Sequence, residues 1–338
     1  MKRWLFRIGA ALVVIGLLVA AGAVFSYLRF VERALEQPQT VLVEKGWGIA
    51  RIARELETQG VISSGFWFTV MIRLQESDAI RIPAGEYRFE TGATPSRLLQ
   101  QLKSGEVVRY RFSFPEGLTV REVAARLRKE GWHDAEQRLL KDPDLPARFG
   151  VTAPSLEGWL FPETYQYVRG DTLDEMIGRM IRQTRKVLER EWAGRAAAIT
   201  LSPAETLVLA SIIEKETGLA QERTRIAAVF HNRLRRQMRL ESDPTVIYGI
   251  ADFNGDLTHR DLATPTPFNT YTMAGLPPTP ICNPGAASIH AALHPDQTEE
   301  LYFVAIGDGR HHFSKTYAEH RAKVQQYQRK GREKDAKP

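Results

Sequence analysis

The stretch from Ser202 to Gly218 constrains this chain more than any other, because it reads as a helix with almost no face left for water. Ser202 reads as the N-cap, Pro203 as the first helical residue and Glu205 as the capping-box partner. Leu207, Val208, Leu209, Ala210, Ile212 and Ile213 follow, apolar on nearly every side. A helix of that kind is enclosed by protein, so the fold has to be built around it. Gly218 is placed to end it in a left-handed turn. Its last turn nevertheless carries two carboxylates, Glu214 and Glu216.

Helical spacing separates those two. Residues three, four and seven apart share a face. For Glu216 they are Ile213, Ile212 and Leu209; for Glu214 they are the smaller or more polar Ser211 and Ala210, with Leu207. Burial among apolar side chains disfavours the charged form, so Glu216 is expected to keep its proton to the higher pH. That is the state a general acid needs. The same pattern also fits structural ion pairs with Lys215, Arg223 or Arg225, since such pairs perturb carboxylates as well.

Lys2, Arg3 and Arg7 precede an uncharged run from Ile8 to Leu28, and Arg29 and Arg33 follow it. At ~1.5 Å per residue the run spans roughly 31 Å, against a hydrocarbon core of ~30 Å. A cleavable signal peptide is the rival reading, with Ala21-Gly22-Ala23 as its cleavage site. Its apolar region usually extends only about 7–15 residues, so a retained anchor is favoured. Basic residues at the short end point that end to the cytoplasm, although Arg29 and Arg33 work against this. One cysteine, Cys282, excludes an intrachain disulfide and a cysteine metal cluster. The net charge of +6 suits an anionic lipid surface or acidic polymer. No motif points to nucleic acid, and no cofactor or metal is expected.

An internal repeat organises the first part of the exported chain. Gly46, Ile49, Ile52, Ala53, Leu56 and Gly60 match Gly117, Val120, Val123, Ala124, Leu127 and Gly131 at constant offset. Each copy opens with an extended segment (Thr40 to Val43, Val108 to Phe114), makes a glycine turn and continues as an amphipathic helix. The second helix has a capping box from Thr119 to Glu122. Between the copies the pattern predicts a helix over Ser64 to Leu74, a strand over Gly85 to Phe89 and a helix over Pro95 to Lys103. This unit resembles the LysM-type carbohydrate-binding module, most closely in "VEKGWGIARIARELETQG". Asp142 to Ser155 reads as a connection and Asp171 to Ala193 as a long helix. From Arg239 onward short strands and Pro/Gly-rich loops are expected. Pro265, Pro267, Pro277, Pro278, Pro280 and Pro284 suit the rigid wall of a cleft.

Five motifs occur in order: "LEGWLFPETY" (Leu156–Tyr165), "LASIIEKETG" (Leu209–Gly218), "VFHNRL" (Val229–Leu234), "ESDPTVIYG" (Glu241–Gly249) and "NTYTMAGLPPTPICNPG" (Asn269–Gly285). With the single N-terminal apolar run, the chain resembles the endolytic murein transglycosylase family, the MltG or YceG-like proteins. The resemblance implies a membrane-anchored enzyme of the cell inner membrane, with its N-terminus cytoplasmic and its catalytic part periplasmic. It would cut within peptidoglycan glycan strands between N-acetylmuramic acid and N-acetylglucosamine, leaving 1,6-anhydro ends. It also implies peptidoglycan synthases (penicillin-binding proteins) as partners, though the sequence itself holds no docking motif for them. The family's catalytic glutamate falls on the second Glu of Glu-Lys-Glu-Thr, here Glu216. Candidates for holding the sugars are Glu157, Ser242, Asp243, Thr245, Tyr248, Asn269 and Tyr271. Tyr248 and Tyr271 fit core positions equally well, and Asp243 before Pro244 also fits a turn.

The expected fold is α+β: one transmembrane helix, small LysM-like α/β modules, then a mixed catalytic domain with a buried glutamate-bearing helix. The expected divisions are a cytoplasmic tail over 1–7, the anchor over 8–28 and a LysM-like module over 29–110. A second repeat and connection over 111–155, the catalytic domain over 156–328 and a basic tail over 329–338 complete the chain. Three other readings remain open. His290 and His294, four apart with His311 and His312 nearby, have a spacing compatible with a zinc enzyme. A non-enzymatic wall-binding or scaffold protein and a muramidase with Asp243 as second carboxylate are the others. Glu216→Gln is expected to leave a folded, glycan-binding and inactive protein, and Glu214→Gln to cost much less; comparable losses in a peptidoglycan digestion assay would contradict the assignment.

Overall fold

The computed structural model describes residues 2–75, 80–307 and 309–335. Met1 of the expected cytoplasmic tail and residues 336–338 of the expected basic tail lie outside the described residues. The architecture is mixed α and β, and the chain divides into two compact units.

The first unit holds residues 1–111 and 166–172. It begins with α1 (Lys2–Glu32), of which Phe6–Glu32 is long and apolar enough to cross a membrane. A signal sequence would meet the same criteria. There follow β1 (Gln39–Val43), α2 (Ile49–Thr58), α3 (Gly65–Gln75), β2 (Gly85–Phe89), α4 (Pro95–Ser104) and β3 (Arg109–Ser113). β1 and β2 pair antiparallel with Val41 opposite Tyr87, and the period-two alternation sends Val41, Val43, Tyr87 and Phe89 to one side. Ile52, Leu56, Phe68, Met71, Leu98 and Leu102 close over them as the core. Gly46 (φ 83°) makes the turn after β1 and Gly60 (φ 73°) the turn after α2, backbone conformations that glycine adopts without strain.

The second unit holds residues 112–165 and 173–338. It contains α5 (Val120–Lys129), α6 (Ala135–Lys141), α7 (Leu145–Arg148), β4 (Thr164–Val168), α8 (Leu173–Ala193), α9 (Pro203–Glu216), α10 (Arg223–Arg235) and α11 (Asp243–Tyr248). After these come α12 (His259–Ala263), α13 (Ala286–Leu293), β5 (Tyr302–Gly307), β6 (Arg310–Ser314) and α14 (Tyr317–Asp335). β3 pairs with β4, and the chain passes between the units along each of them. β5 and β6 pair antiparallel with Phe303 opposite Phe313.

α9 is the central helix of the second unit. Leu207, Leu209, Ala210, Ile212 and Ile213 are fully buried, enclosed by α8, α10 and α13 through Val187, Leu188, Ile226, Val229, Phe230, Ile289 and Leu293. Its start follows the sequence reading. The Ser202 hydroxyl accepts from the Glu205 amide, and the Glu205 carboxylate accepts from the Ser202 amide at 2.8 Å. Its end differs. The helix stops at Thr217, which is extended (φ −146°, ψ 136°), and Gly218 is not left-handed. Thr217 is β-branched and suited to extended backbone, and its hydroxyl accepts from the Leu219 amide at 3.0 Å, making the turn that glycine was expected to make.

The region after Arg239 also differs from the expected short strands. Among the described residues, 239–301 form the short helices α11, α12 and α13 with irregular links, and the strands come only at β5 and β6. Ser242-Asp243-Pro244 and Thr258 start helices here. The end of the proline-rich segment runs buried along α9, whereas Pro265, Pro267 and Pro278 are exposed. The Ile281 amide donates to the Ser211 hydroxyl at 2.9 Å, and the Cys282 thiol meets the Ser211 carbonyl at 3.3 Å. Residues 279–285 are accordingly buried, because they complete the shell around an apolar helix. Gly158, at φ 80°, lies so close to Pro280 that a Cβ would sit 2.5 Å from its ring. The capping box sets how firmly α9 begins, so Ser202→Ala is expected to lower stability by about 1 kcal/mol, read as a lower denaturation midpoint with an unchanged slope.

Candidate active site

The two carboxylates at the end of α9 have different surroundings. Glu214 is tied down: Arg223 is 3.5 Å away, and its carboxylate accepts from the Gly285 amide at 3.0 Å. This is the ion pair that the sequence left open, and it falls on Glu214. Glu216 has no such cation in contact among the described residues. It is half-buried, and burial raises its carboxyl to about 7 from an ordinary 4.5. A hydrogen bond donated by the Ser242 hydroxyl to Oε1 works the other way, the nearby Asp243 charge adds to the rise, and the more distant Arg233 charge lowers it.

Ser242 is itself held from both sides. Its amide donates to the Thr270 hydroxyl at 3.0 Å, and its carbonyl accepts from the Thr245 hydroxyl at 2.7 Å. Thr245 and Thr270 share a further hydrogen bond at 2.8 Å. Before it, Glu241 is left-handed at φ 51°, a conformation that costs a non-glycine residue energy and persists only where the surroundings enforce it. Arg233 supplies the enforcement. From α10 its guanidinium donates to the carbonyls of Arg239 (3.0 Å) and Leu240 (2.9 Å), to the Glu241 carboxylate (3.0 Å) and to the Leu301 carbonyl (2.6 Å). The Glu241 amide also donates to the Thr270 carbonyl at 3.2 Å.

Asp243 is the partner of Tyr271, whose hydroxyl donates to Oδ1 at 2.6 Å. Burial, that hydrogen bond and the charges of Asp243, Glu241 and Glu216 all raise the phenol, so it stays a neutral donor. Glu216, Ser242, Asp243 and Tyr271 therefore form one interacting group. Thr245 and Asn269 stand behind it and are fully buried. The Asn269 amide group donates to the carbonyls of Asp261, Leu262 and Thr264, and its oxygen accepts from the Tyr271 amide at 2.9 Å. Its place is to shape the loop that presents Tyr271.

Glu157 and Tyr248 form a second centre. Glu157 is buried, accepts from the Val120 amide at 2.9 Å at the start of α5, and accepts from the Tyr248 hydroxyl at 3.0 Å. Burial raises its carboxyl to about 7. Tyr248 packs edge-on against Phe268 at 4.9 Å.

The sequence alone assigns no role to Arg233, Thr270 or Ser211. Arg233 has a signal only in its place within the motif "VFHNRL", just after the apolar stretch Ile226 to Phe230. The histidine pair is arranged unlike a metal site. His290 and His294 stack with centroids 4.3 Å apart and planes only 20° from parallel, and Glu191 bonds His290 Nδ1 at 2.8 Å. Imidazole nitrogens bind metal in the ring plane, and near-parallel planes do not meet at one ion, although ligand atoms of the three side chains lie within 4.8 Å.

The geometry thus defines a proton-holding centre at the end of a buried helix, in an α+β unit. The chain belongs to the YceG-like family, whose model matches residues 41–326. It is 32% identical to the endolytic murein transglycosylase of Bacillus subtilis (strain 168), over 89% of this chain and 88% of that protein. It is 26% identical to the endolytic murein transglycosylase of Streptococcus pneumoniae serotype 2, over 92% of this chain and 63% of that longer protein. A solved structure of a YceG-like protein from Listeria monocytogenes aligns with a TM-score of 0.54 at 29% identity, covering 85% of this chain and 99% of that one.

The groups around Glu216 make opposed predictions. Asp243→Asn removes a raising influence and should shift the Glu216 carboxyl titration to lower pH; Ser242→Ala removes a lowering one and should shift it upward. Carbon-detected NMR of the glutamate carboxyls reads both directly.

Proposed function

We propose that this chain is a membrane-anchored lytic transglycosylase that cuts within the glycan strands of peptidoglycan. It breaks the β-1,4 bond between N-acetylmuramic acid and N-acetylglucosamine and leaves 1,6-anhydro-N-acetylmuramic acid ends. The observation that carries the reading is the Glu216 carboxyl, kept protonatable near neutral pH by the apolar helix that bears it. The names of the Bacillus and Streptococcus relatives support the same reaction.

In this reaction one residue serves twice. Protonated Glu216 donates to the glycosidic oxygen as that bond breaks. The resulting carboxylate then takes the proton of the muramyl 6-hydroxyl while O6 bonds to the anomeric carbon. The proton ledger closes, Glu216 ends as it began, and no water is consumed. Two-carboxyl hydrolases differ in needing a second group for the nucleophile or the water. Ser242 holds the Glu216 carboxyl in one orientation, and the Asp243 charge keeps its proton available. Tyr271, a donor at the edge of this group, is the best placed of the remaining candidates to meet a sugar oxygen, with Glu157 and Tyr248 further along.

The first unit, with strand, glycine turn and helix in the order of the LysM resemblance, is read as a glycan-holding module. α1 is read as a retained anchor of the inner membrane. Lys2, Arg3 and Arg7 support a cytoplasmic N-terminus, with the remainder periplasmic. Partnership with peptidoglycan synthases follows from the family resemblance alone.

Mass spectrometry of peptidoglycan digested by the full-length protein tests the reaction. Anhydro ends are expected; reducing ends would mean a muramidase, and uncut glycan a binding protein. Cleavage should fall as pH rises through about 7, where Glu216 loses its proton. The same shift acts on stability. A carboxyl raised in the folded state stabilises below its unfolded value, and that contribution is lost as pH rises through the folded value. Glu216→Gln should therefore gain stability above pH 7, by up to ~3 kcal/mol, and little below pH 4.5. Thermal melts of both proteins at pH 5 and pH 8 check the sign.

A further inference from the structure

α3 has an apolar face that the protein leaves uncovered. Its inward residues Gly65, Phe68, Met71 and Ile72 are buried in the core of the first unit. Its outward side shows Phe66, 67% exposed, and Leu74, 73% exposed, with half-buried Val70 between them at four-residue spacing. The helix carries one charge, Arg73. Surface helices of soluble units put polar residues outward, as α2 does nearby with Arg51, Arg54 and Glu57. α3 does not.

What covers this face is indicated by its tie to α1. The Trp67 indole donates to the Ser26 hydroxyl at 3.0 Å, and the Tyr27 and Trp67 rings meet edge to face at 5.5 Å. Ser26 lies inside the uncharged run, which ends at Leu28, about 3 Å further along the helix axis, and Arg29 follows. Trp67 is therefore anchored near the depth where tryptophan is enriched in membranes, the boundary between headgroups and acyl chains. Phe66 packs on Trp67 with centroids 5.0 Å apart, which keeps it within a ring's width of that depth. Around it, Arg54 and Arg73, together with Glu57, line a depression of about 300 Å³ that Phe66 and Val70 also border. Guanidinium groups beside inserted apolar side chains suit an anionic headgroup layer.

We infer that the outer face of α3 is a membrane-docking surface: Phe66, Val70 and Leu74 enter the interfacial layer of the bilayer that α1 crosses. The inference rests on the reading of α1 as an anchor. It turns a single tether into two-point attachment and restricts tilting of the first unit away from the bilayer.

The test uses the full-length protein in vesicles of zwitterionic and anionic phospholipid, spin-labelled at Phe66→Cys or, separately, at Val19→Cys. Cys282 is fully buried and stays unlabelled. Collision with oxygen, which partitions into lipid, is compared with collision with a water-soluble nickel complex. The expected oxygen-to-nickel ratio at position 66 lies between that at position 19 and that of free label in buffer. Adding Leu74→Glu should move it toward the buffer value. A buffer-like ratio at 66 with an immersed label at 19 would overturn the docking and leave the anchor standing. A label at 66 shielded from both reagents would mean that protein covers this face, and would also overturn it. A buffer-like ratio at 19 would remove the anchor and the docking together.

Discussion

The second unit depends on the desolvation of one carboxyl. α9 ends with Glu216 following three turns of leucine, valine and isoleucine, so its charge cannot be hydrated as it would be on a surface helix. Much of the surrounding structure manages that cost. Ser242 gives the carboxyl a hydrogen bond, the paired threonines hold Ser242, and Arg233 holds the strained residue before it. Glu214, two residues earlier, is paired with Arg223. Two carboxylates of the same helical turn thus meet different surroundings, a cation for one and an apolar wall for the other.

The expense of such a site explains the density of internal hydrogen bonds around it. A half-satisfied buried polar group is worse than an apolar one, and this cluster leaves few donors to chance. Asn269 uses its whole side chain on its own loop. Asn283 bridges the Leu160 amide and the Leu118 carbonyl, fastening the proline-rich segment to the motif that begins at Leu156. Pro280 and Pro284 belong to this scaffold. They stiffen a strap over α9, where an open loop would have left the helix wet.

Much of this was legible in the sequence because it is local. The caps at Ser202 and Thr119, the strand Gly85–Phe89 and the different faces of Glu214 and Glu216 follow from spacing alone. The end of α9 departs from the sequence expectation because a threonine and its hydroxyl perform the turn that glycine usually makes. Short helices replaced the expected strands after Arg239 because Ser-Asp-Pro and a threonine cap act locally, whereas strands need a partner from far along the chain. The pairing of Glu157 with Tyr248 and of Asp243 with Tyr271 had no local signal at all. Those contacts join segments distant in sequence, and only the folded chain brings them together.

The guanidinium of Arg233 reaches two stretches of chain at once, the turn at 239–241 and the entry to β5 at Leu301. Its planar fork aims separate N–H groups at acceptors in different directions, and a lysine ammonium, flexible and more strongly hydrated, could not serve them together. Losing that one side chain would slacken a turn and the entry to a strand in the same event. The position therefore requires a shape as well as a charge, and a substitution that merely preserves the sign would not be conservative.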